Sequence, residues 1–181
     1  MPENFNIRFI FIIRNKEWGY LLNKSEDISD QKVLIYNPEK CTGCLLCMIA
    51  CSYKHFNIFD LNKSHIKIFQ NPEKENSFIG IYCAHCDEPA CLASCPVDAI
   101  TKDIENGWVK INSIKCILCK SCIYACPISH PWFIEDYKKM VKCDFCDGDP
   151  YCAKFCPTEA IQVKTRKEAY EFIKKINILN F

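Results

Sequence analysis

The hydrophobic pattern is a series of short apolar runs separated by polar turns. Val33-Leu34-Ile35-Tyr36 reads as a strand, and Ala160-Ile161-Gln162-Val163 repeats that pattern far down the chain. Between them, Val97-Asp98-Ala99-Ile100-Thr101 and Trp108-Val109-Lys110-Ile111 flank Glu105-Asn106-Gly107, and two apolar runs around Asn-Gly predict a hairpin. Near the start, Phe5, Ile7 and Phe9 alternate as in an added strand. At the end, Ala169, Phe172, Ile173, Ile176 and Ile178 recur at mostly helical spacing, which predicts a terminal helix. That helix either covers the chain's own core or docks on another subunit, and the apolar ending Ile178-Leu179-Asn180-Phe181 tilts the reading toward docking.

Composition changes the picture through one residue type. Sixteen of 181 residues are cysteine, and they form four sets of four with none left over. Cys41, Cys44, Cys47 and Cys51 are spaced C-x2-C-x2-C-x3-C, and Cys116, Cys119, Cys122 and Cys126 repeat that spacing. Cys83, Cys86, Cys91 and Cys95 read C-x2-C-x4-C-x3-C, while Cys143, Cys146, Cys152 and Cys156 read C-x2-C-x5-C-x3-C. Proline follows the last three sets (Pro96, Pro127, Pro157), and Ser52 stands in that place after the first. The repeating unit is therefore strand, cysteine loop, short helix, strand. It predicts an α+β fold whose core is largely inorganic.

Closely spaced thiolates let one loop donate three ligands to one iron–sulfur cubane. The fourth cysteine, three residues on, sits a helical turn away and points toward a neighbouring site; in two-cluster ferredoxins it ligates the other cluster. The proline then ends that turn, because it cannot continue an interior helix. Disulfides belong to oxidising compartments, and the N-terminus carries neither a small-residue cleavage site nor paired arginines, so a cytoplasmic chain is expected. Structural zinc uses two separated C-x2–4-C pairs, which the second and fourth quartets match in isolation. The first and third crowd three cysteines into seven residues, which suits a cubane better. A zinc-stabilised interaction module stays as the reading from a different class.

Charge excludes other roles. Lys and Arg total 23 against 22 for Asp and Glu, so no nucleic-acid partner is expected. No apolar run approaches a membrane span. There is no G-x-G-x-x-G after a strand, no P-loop and no H-E-x-x-H, so no catalytic residue is assigned. His85, inside a cysteine loop, reads as a structural or hydrogen-bonding residue, and His55, His65 and His130 as surface or loop residues. Trp108 and Trp132 read as packing around the metal sites. Lys138, Lys139 and Lys142 read as a solvated basic face. Each oxidised cubane with four thiolates carries a charge of about −2, so the loaded protein is expected to be anionic despite its formal +1.

The stretch Cys83-Ala84-His85-Cys86-Asp87-Glu88-Pro89-Ala90-Cys91, running on to Cys95-Pro96-Val97-Asp98-Ala99-Ile100, resembles the second cysteine motif of four-cluster ferredoxin-like electron-transfer subunits. These accompany molybdenum or tungsten pterin enzymes of the dimethyl sulfoxide reductase and formate dehydrogenase group, and some hydrogenases. The resemblance covers roughly residues 33 to 164. The short Gly148-Asp149-Pro150 link between Cys146 and Cys152 is similar to small subunits of tungsten-containing aldehyde oxidoreductases and benzoyl-CoA reductases. So is Cys41-Thr42-Gly43-Cys44 with Ala50-Cys51-Ser52 and the following Asn62-Lys63-Ser64-His65-Ile66-Lys67-Ile68. The resemblance implies an anaerobic relay subunit with four [4Fe-4S] clusters and a tungsten or molybdenum pterin catalytic partner, with a flavin subunit or soluble ferredoxin as the external carrier. The equivalent subunit of a formate dehydrogenase, hydrogenase or dimethyl sulfoxide reductase type complex is the alternative.

Spacing alone is compatible with pairing of adjacent quartets as well as with nesting; the resemblance implies nesting. Two pseudo-repeated two-cluster ferredoxin-like units result, an outer one over about 33–70 plus 136–164 and an inner one over about 78–135. Residues 1–32 form an N-terminal extension, 33–164 the four-cluster domain, and 165–181 a docking helix or tail. The ligand sets implied by the resemblance are Cys41, Cys44, Cys47 with Cys156; Cys143, Cys146, Cys152 with Cys51; Cys83, Cys86, Cys91 with Cys126; and Cys116, Cys119, Cys122 with Cys95.

Overall fold

The computed structural model describes residues 30–179, with side chains from 30 to 174. The strand expected around Phe5, Ile7 and Phe9, and the extension over 1–32 except its last three residues, lie outside the described residues. The fold is a small mixture of helices and two-stranded sheets. In chain order the elements are β1 (Lys32–Tyr36), α1 (Leu46–Phe56), β2 (Lys67–Gln70), β3 (Phe78–Ile81), α2 (Ala90–Ala93), β4 (Ile100–Lys102), β5 (Val109–Ile111), α3 (Ser121–Ala125), β6 (Trp132–Ile134), β7 (Lys139–Val141), α4 (Tyr151–Lys154), β8 (Ile161–Thr165) and α5 (Arg166–Leu179).

Each sheet is one antiparallel pair. The sequence-predicted hairpin is β4–β5, with Ile100 opposite Ile111 and Lys102 opposite Val109. Its first strand is shorter than the apolar run, because Asp98 turns the chain at φ 49° just after Cys95-Pro96-Val97. The two runs read as repeats of one pattern, β1 and β8, pair with each other across the whole chain, Lys32 opposite Thr165 and Tyr36 opposite Ile161. The hairpins β2–β3 and β6–β7 have no counterpart in the sequence pattern, since their strands are three or four residues long and carry no clean alternation.

The helices sort in the same way. α1 packs on α4, and α2 packs on α3. The larger core combines Leu34, Met48, Ile66, Ile68, Tyr82, Trp108, Phe145 and Ile161 with the buried Cys47, Cys51, Cys83, Cys143 and Cys152. A second core joins Ile100, Val109 and Met140 to Cys91 and Cys122. Trp108 stacks on Phe145 with centroids 4.9 Å apart, the packing role expected of it. Around α5, Ala169, Phe172 and Ile173 close over Val33 and Ile35, so these apolar positions cover this chain's own β1. No helix among the described residues is long and apolar enough to cross a membrane.

Candidate metal centre

Each cysteine loop is bent by the same backbone device. The residue just before the second cysteine has positive φ in all four: Gly43 at 71°, His85 at 48°, Leu118 at 61° and Phe145 at 61°. Left-handed residues are disfavoured for side chains other than glycine, yet they turn successive N–H groups into a concave cradle for an anionic group. In the first, third and fourth loops the residue after the second cysteine is also left-handed, Leu45 at 61°, Lys120 at 63° and Asp147 at 55°. Gly43 meets a further demand, because a β-carbon there would run into the Phe78 ring. Backbone N–H groups also donate directly to sulfur: His65 to Cys51 Sγ at 3.2 Å, His85 to Cys83 Sγ at 3.3 Å and Ala99 to Cys95 Sγ at 3.2 Å.

The thiols converge from different quartets. One cavity is lined by Cys83, Cys86, Cys91 and Cys126. Another is lined by Cys41, Cys44, Cys47 and Cys156. A third is lined by Cys95, Cys116, Cys119 and Cys122. No carboxylate lines any of the three. The remaining four, Cys51, Cys143, Cys146 and Cys152, are all buried. Burial, followed by the charges of Cys143, Cys51 and Cys146, pushes the Cys152 thiol well above its ordinary value, so these four act on one another. All sixteen cysteines are free of disulfides. A set of four soft thiol donors above a cradle of N–H groups fits a thiolate-held iron–sulfur cluster.

Burial sets the acidity of most of these thiols. It raises Cys47 to about 12, with the nearby Cys156 adding to the shift, and Cys86 and Cys122 to about 11. Metal loading at such sites must therefore displace protons. Cys83 runs the other way: burial pushes it up, but His85 and then Lys142 outweigh that and bring it down to about 5.

The polar residues around the inner thiols correct the sequence reading. His65 and His130 lie in loops, as expected, but the loops are interior and the two are 7% and 1% exposed. His55 is largely covered and stacks on His65 with centroids 3.9 Å apart, its Nε2 lying 3.7 Å from Cys146 Sγ. His130 Nε2 accepts from the Cys143 N–H at 3.0 Å. His85 has the hydrogen-bonding place expected of it, fully buried, with Nδ1 accepting from the Val109 N–H at 2.9 Å. The basic run divides. Lys138 is exposed and pairs with Glu135 at 2.8 Å, whereas Lys142 is 4% exposed. Its ammonium donates to Cys83 Sγ at 2.9 Å, Val109 O at 2.7 Å and Cys143 O at 3.1 Å. Arg166, also buried, donates to His85 O at 2.8 Å and lies 3.5 Å from Asp87.

Comparison with known proteins agrees with this chemistry. Residues 74–166 match the family described as 4Fe-4S dicluster domain, and residues 34–53 match the 4Fe-4S binding domain. The chain is 34% identical over 136 residues to the aliphatic sulfonate oxidoreductase, polyferredoxin-like subunit, of Pyrococcus furiosus, covering 73% of this chain and 75% of that one. It is 27% identical over 147 residues to the thiosulfate reductase electron transfer subunit PhsB of Salmonella typhi, covering 75% and 76%. The solved active site complex BamBC of benzoyl coenzyme A reductase with benzoyl-CoA aligns over 80% of this chain and 88% of the matched chain, at 21% identity and a TM-score of 0.44. The chain belongs to the 4Fe-4S dicluster family of iron–sulfur proteins.

Proposed function

We propose that this chain is a non-catalytic electron-transfer subunit holding four [4Fe-4S] clusters on the four nested ligand sets named above. The observation that supports it is the composition of the three cavities. Each is lined by three cysteines of one quartet and the fourth cysteine of another, first with fourth and second with third. The pairing of β1 with β8, and of α1 with α4, supports the same nesting into an outer and an inner unit. When bound, such clusters supply one-electron chemistry at potentials set by hydrogen bonds and burial.

The chain's own residues do the rest. The cysteine loops hold and orient each site, and the left-handed residues aim N–H groups into it. Trp108, Phe145 and Val109, each under 9% exposed, keep water from the interior. Cys44 and Cys119 are the two exposed cysteines, one in the first loop and one in the third, so the two sets they belong to reach the surface where carriers arrive. The partner is a tungsten or molybdenum pterin catalytic subunit, aldehyde-oxidoreductase-like, and a flavin subunit or ferredoxin exchanges electrons at the other end. A reducing, cytoplasmic setting accords with sixteen committed thiols.

A second reading has its own observation. Cys51, His55 and His65 offer sulfur and nitrogen ligand atoms within 4.8 Å of one another, and His55, Asp144 and Cys146 offer nitrogen, oxygen and sulfur, donor sets of the kind zinc takes. Anaerobic purification separates the two. A brown protein with about sixteen irons, four per ligand set, is expected. A colourless protein holding zinc overturns the relay.

A further inference from the structure

Among the polar groups around the inner sulfurs, Lys142 stands apart. Its ammonium has three acceptors at 2.7, 2.9 and 3.1 Å, two carbonyls and one sulfur. Three acceptors use all three N–H bonds of an ammonium, and a neutral amine has only two to give. With Cys83 held as a thiolate, which only accepts, the geometry calls for a charged group. Among the described residues no carboxylate pairs with it, in contrast to Arg166, whose guanidinium lies beside Asp87 at 3.5 Å. The charge is answered by sulfur, Cys83 first and then Cys143 and Cys91. Lys120, by comparison, is exposed beside the third loop, where solvent screens it.

We infer that Lys142 is a built-in tuning residue: its fixed buried charge raises the reduction potential of the cluster held by Cys83, Cys86, Cys91 and Cys126 above that of the other three. The inference rests on the iron–sulfur reading. Reduction adds one electron to a group already negative, and a positive charge hydrogen-bonded to one of its ligands favours the reduced form. Cys143, a ligand in the neighbouring set, offers its backbone carbonyl to the same ammonium, so a smaller effect reaches that site. The relay then has its electron well in the interior, away from Cys44 and Cys119.

The test is a stepwise potentiometric titration of anaerobically purified holoprotein, followed by electron paramagnetic resonance, with iron counted on each sample. In the unaltered protein one cluster is reduced before the rest. Lys142→Met should shift that cluster at least tenfold in its reduction equilibrium, about 59 mV downward for one electron. Lys142→Arg, which keeps the charge, should shift it by less than half as much. An unchanged titration in Lys142→Met with the full iron count overturns the inference, as does an equal shift in all clusters or an equal shift in Lys142→Arg. If Lys142→Met loses iron, Lys142→Gln takes its place: it keeps a donor without charge, and an unshifted titration there overturns the inference too. Unaltered protein that holds no iron is a different failure, that of the iron–sulfur reading itself.

Discussion

The first and third cysteine loops have the same spacing, and up to the third cysteine they have the same structure. Cys41 and Cys116 are half-buried, Cys44 and Cys119 exposed, Cys47 and Cys122 buried. Both loops are left-handed at the same two places, Gly43 with Leu45 and Leu118 with Lys120. Then they part. α3 stops at Ala125, Pro127 follows Cys126, and Ser129 turns the chain at φ 47°. α1 runs on through Cys51 and Ser52 to Phe56, eleven residues in all. One residue type explains the divergence, since proline cannot continue a helix and serine can. The longer helix buries Cys51 and carries His55 to its place over His65. Ser52, fully buried, donates from its hydroxyl to Ile58 O at 2.9 Å and accepts from the Asp60 N–H at 3.2 Å, fastening the chain that returns from the helix. The difference teaches that the loop makes the cradle while the residue after the fourth cysteine decides what surrounds it.

The largest effects should come from removing the fourth cysteines that, on the proposed ligand sets, complete these two loops from a distance. Cys156→Ala should damage the site at Cys41, Cys44 and Cys47, and Cys95→Ala the site at Cys116, Cys119 and Cys122, each leaving its neighbouring loop intact. Cluster-resolved spectroscopy with iron counts checks this; damage at a variant's own loop would show that the fourth cysteine serves locally.

Next in size is an exchange of the residues that make the loops differ. Ser52→Pro should destabilise the holoprotein by about 3 kcal/mol or more, because it breaks α1 and removes the hydroxyl's bonds. Pro127→Ser should cost under about 1 kcal/mol, mostly through a freer unfolded chain. Anaerobic denaturant titrations compare the two, and equal costs would remove serine as the explanation of the long helix.

The shared cradle is tested at Gly43. Gly43→Ala should cost about 1–2 kcal/mol by placing a side chain at positive φ. Phe78→Ala in the same chain should recover part of that, since the ring is what the new β-carbon meets. Leu118→Ala should lose only side-chain packing, because Leu118 already carries the left-handed strain.

The smallest effect is on pH dependence beyond α1. The Lys63 ammonium at 2.8 Å, then the Asn62 N–H, hold the Asp60 carboxyl below its ordinary value. A depressed folded-state value contributes stability above the ordinary carboxylate range and loses it as pH falls through the folded value. Asp60→Asn should therefore lower stability slightly at neutral pH, change it little in acid, and so flatten the acid limb of the stability profile. A steeper acid limb in the variant would contradict this.

The sequence made the metal chemistry and one hairpin legible for physical reasons. Asn106-Gly107 is a turn by backbone preference, and the cysteine spacings are ligand geometry written directly into the chain. The proline missing after Cys51 is visible as well, although its consequence, six more residues of helix in α1 from Cys51 to Phe56, needs the helix to be seen. What stayed hidden was the burial of polar side chains. His65, His130 and Lys142 carry no local mark of an interior position, because their environment is assembled from loops far apart in sequence. The β2–β3 and β6–β7 pairs stayed hidden because strands this short take their structure from what they pack on.

The pairing of β1 with β8 has a consequence in time. Strand β1 is complete once Tyr36 is made, but its partner is not, because Ile161–Thr165 comes last among the strands. At ribosomal speeds of about 5–20 residues per second, the interval is on the order of ten seconds. During that wait, the first cysteine loop and the edge of β1 have no finished neighbour, whereas β4 and β5 close within a dozen residues of each other. Assembly therefore runs from the middle of the chain outward, and the first loop to be synthesised is among the last to be enclosed.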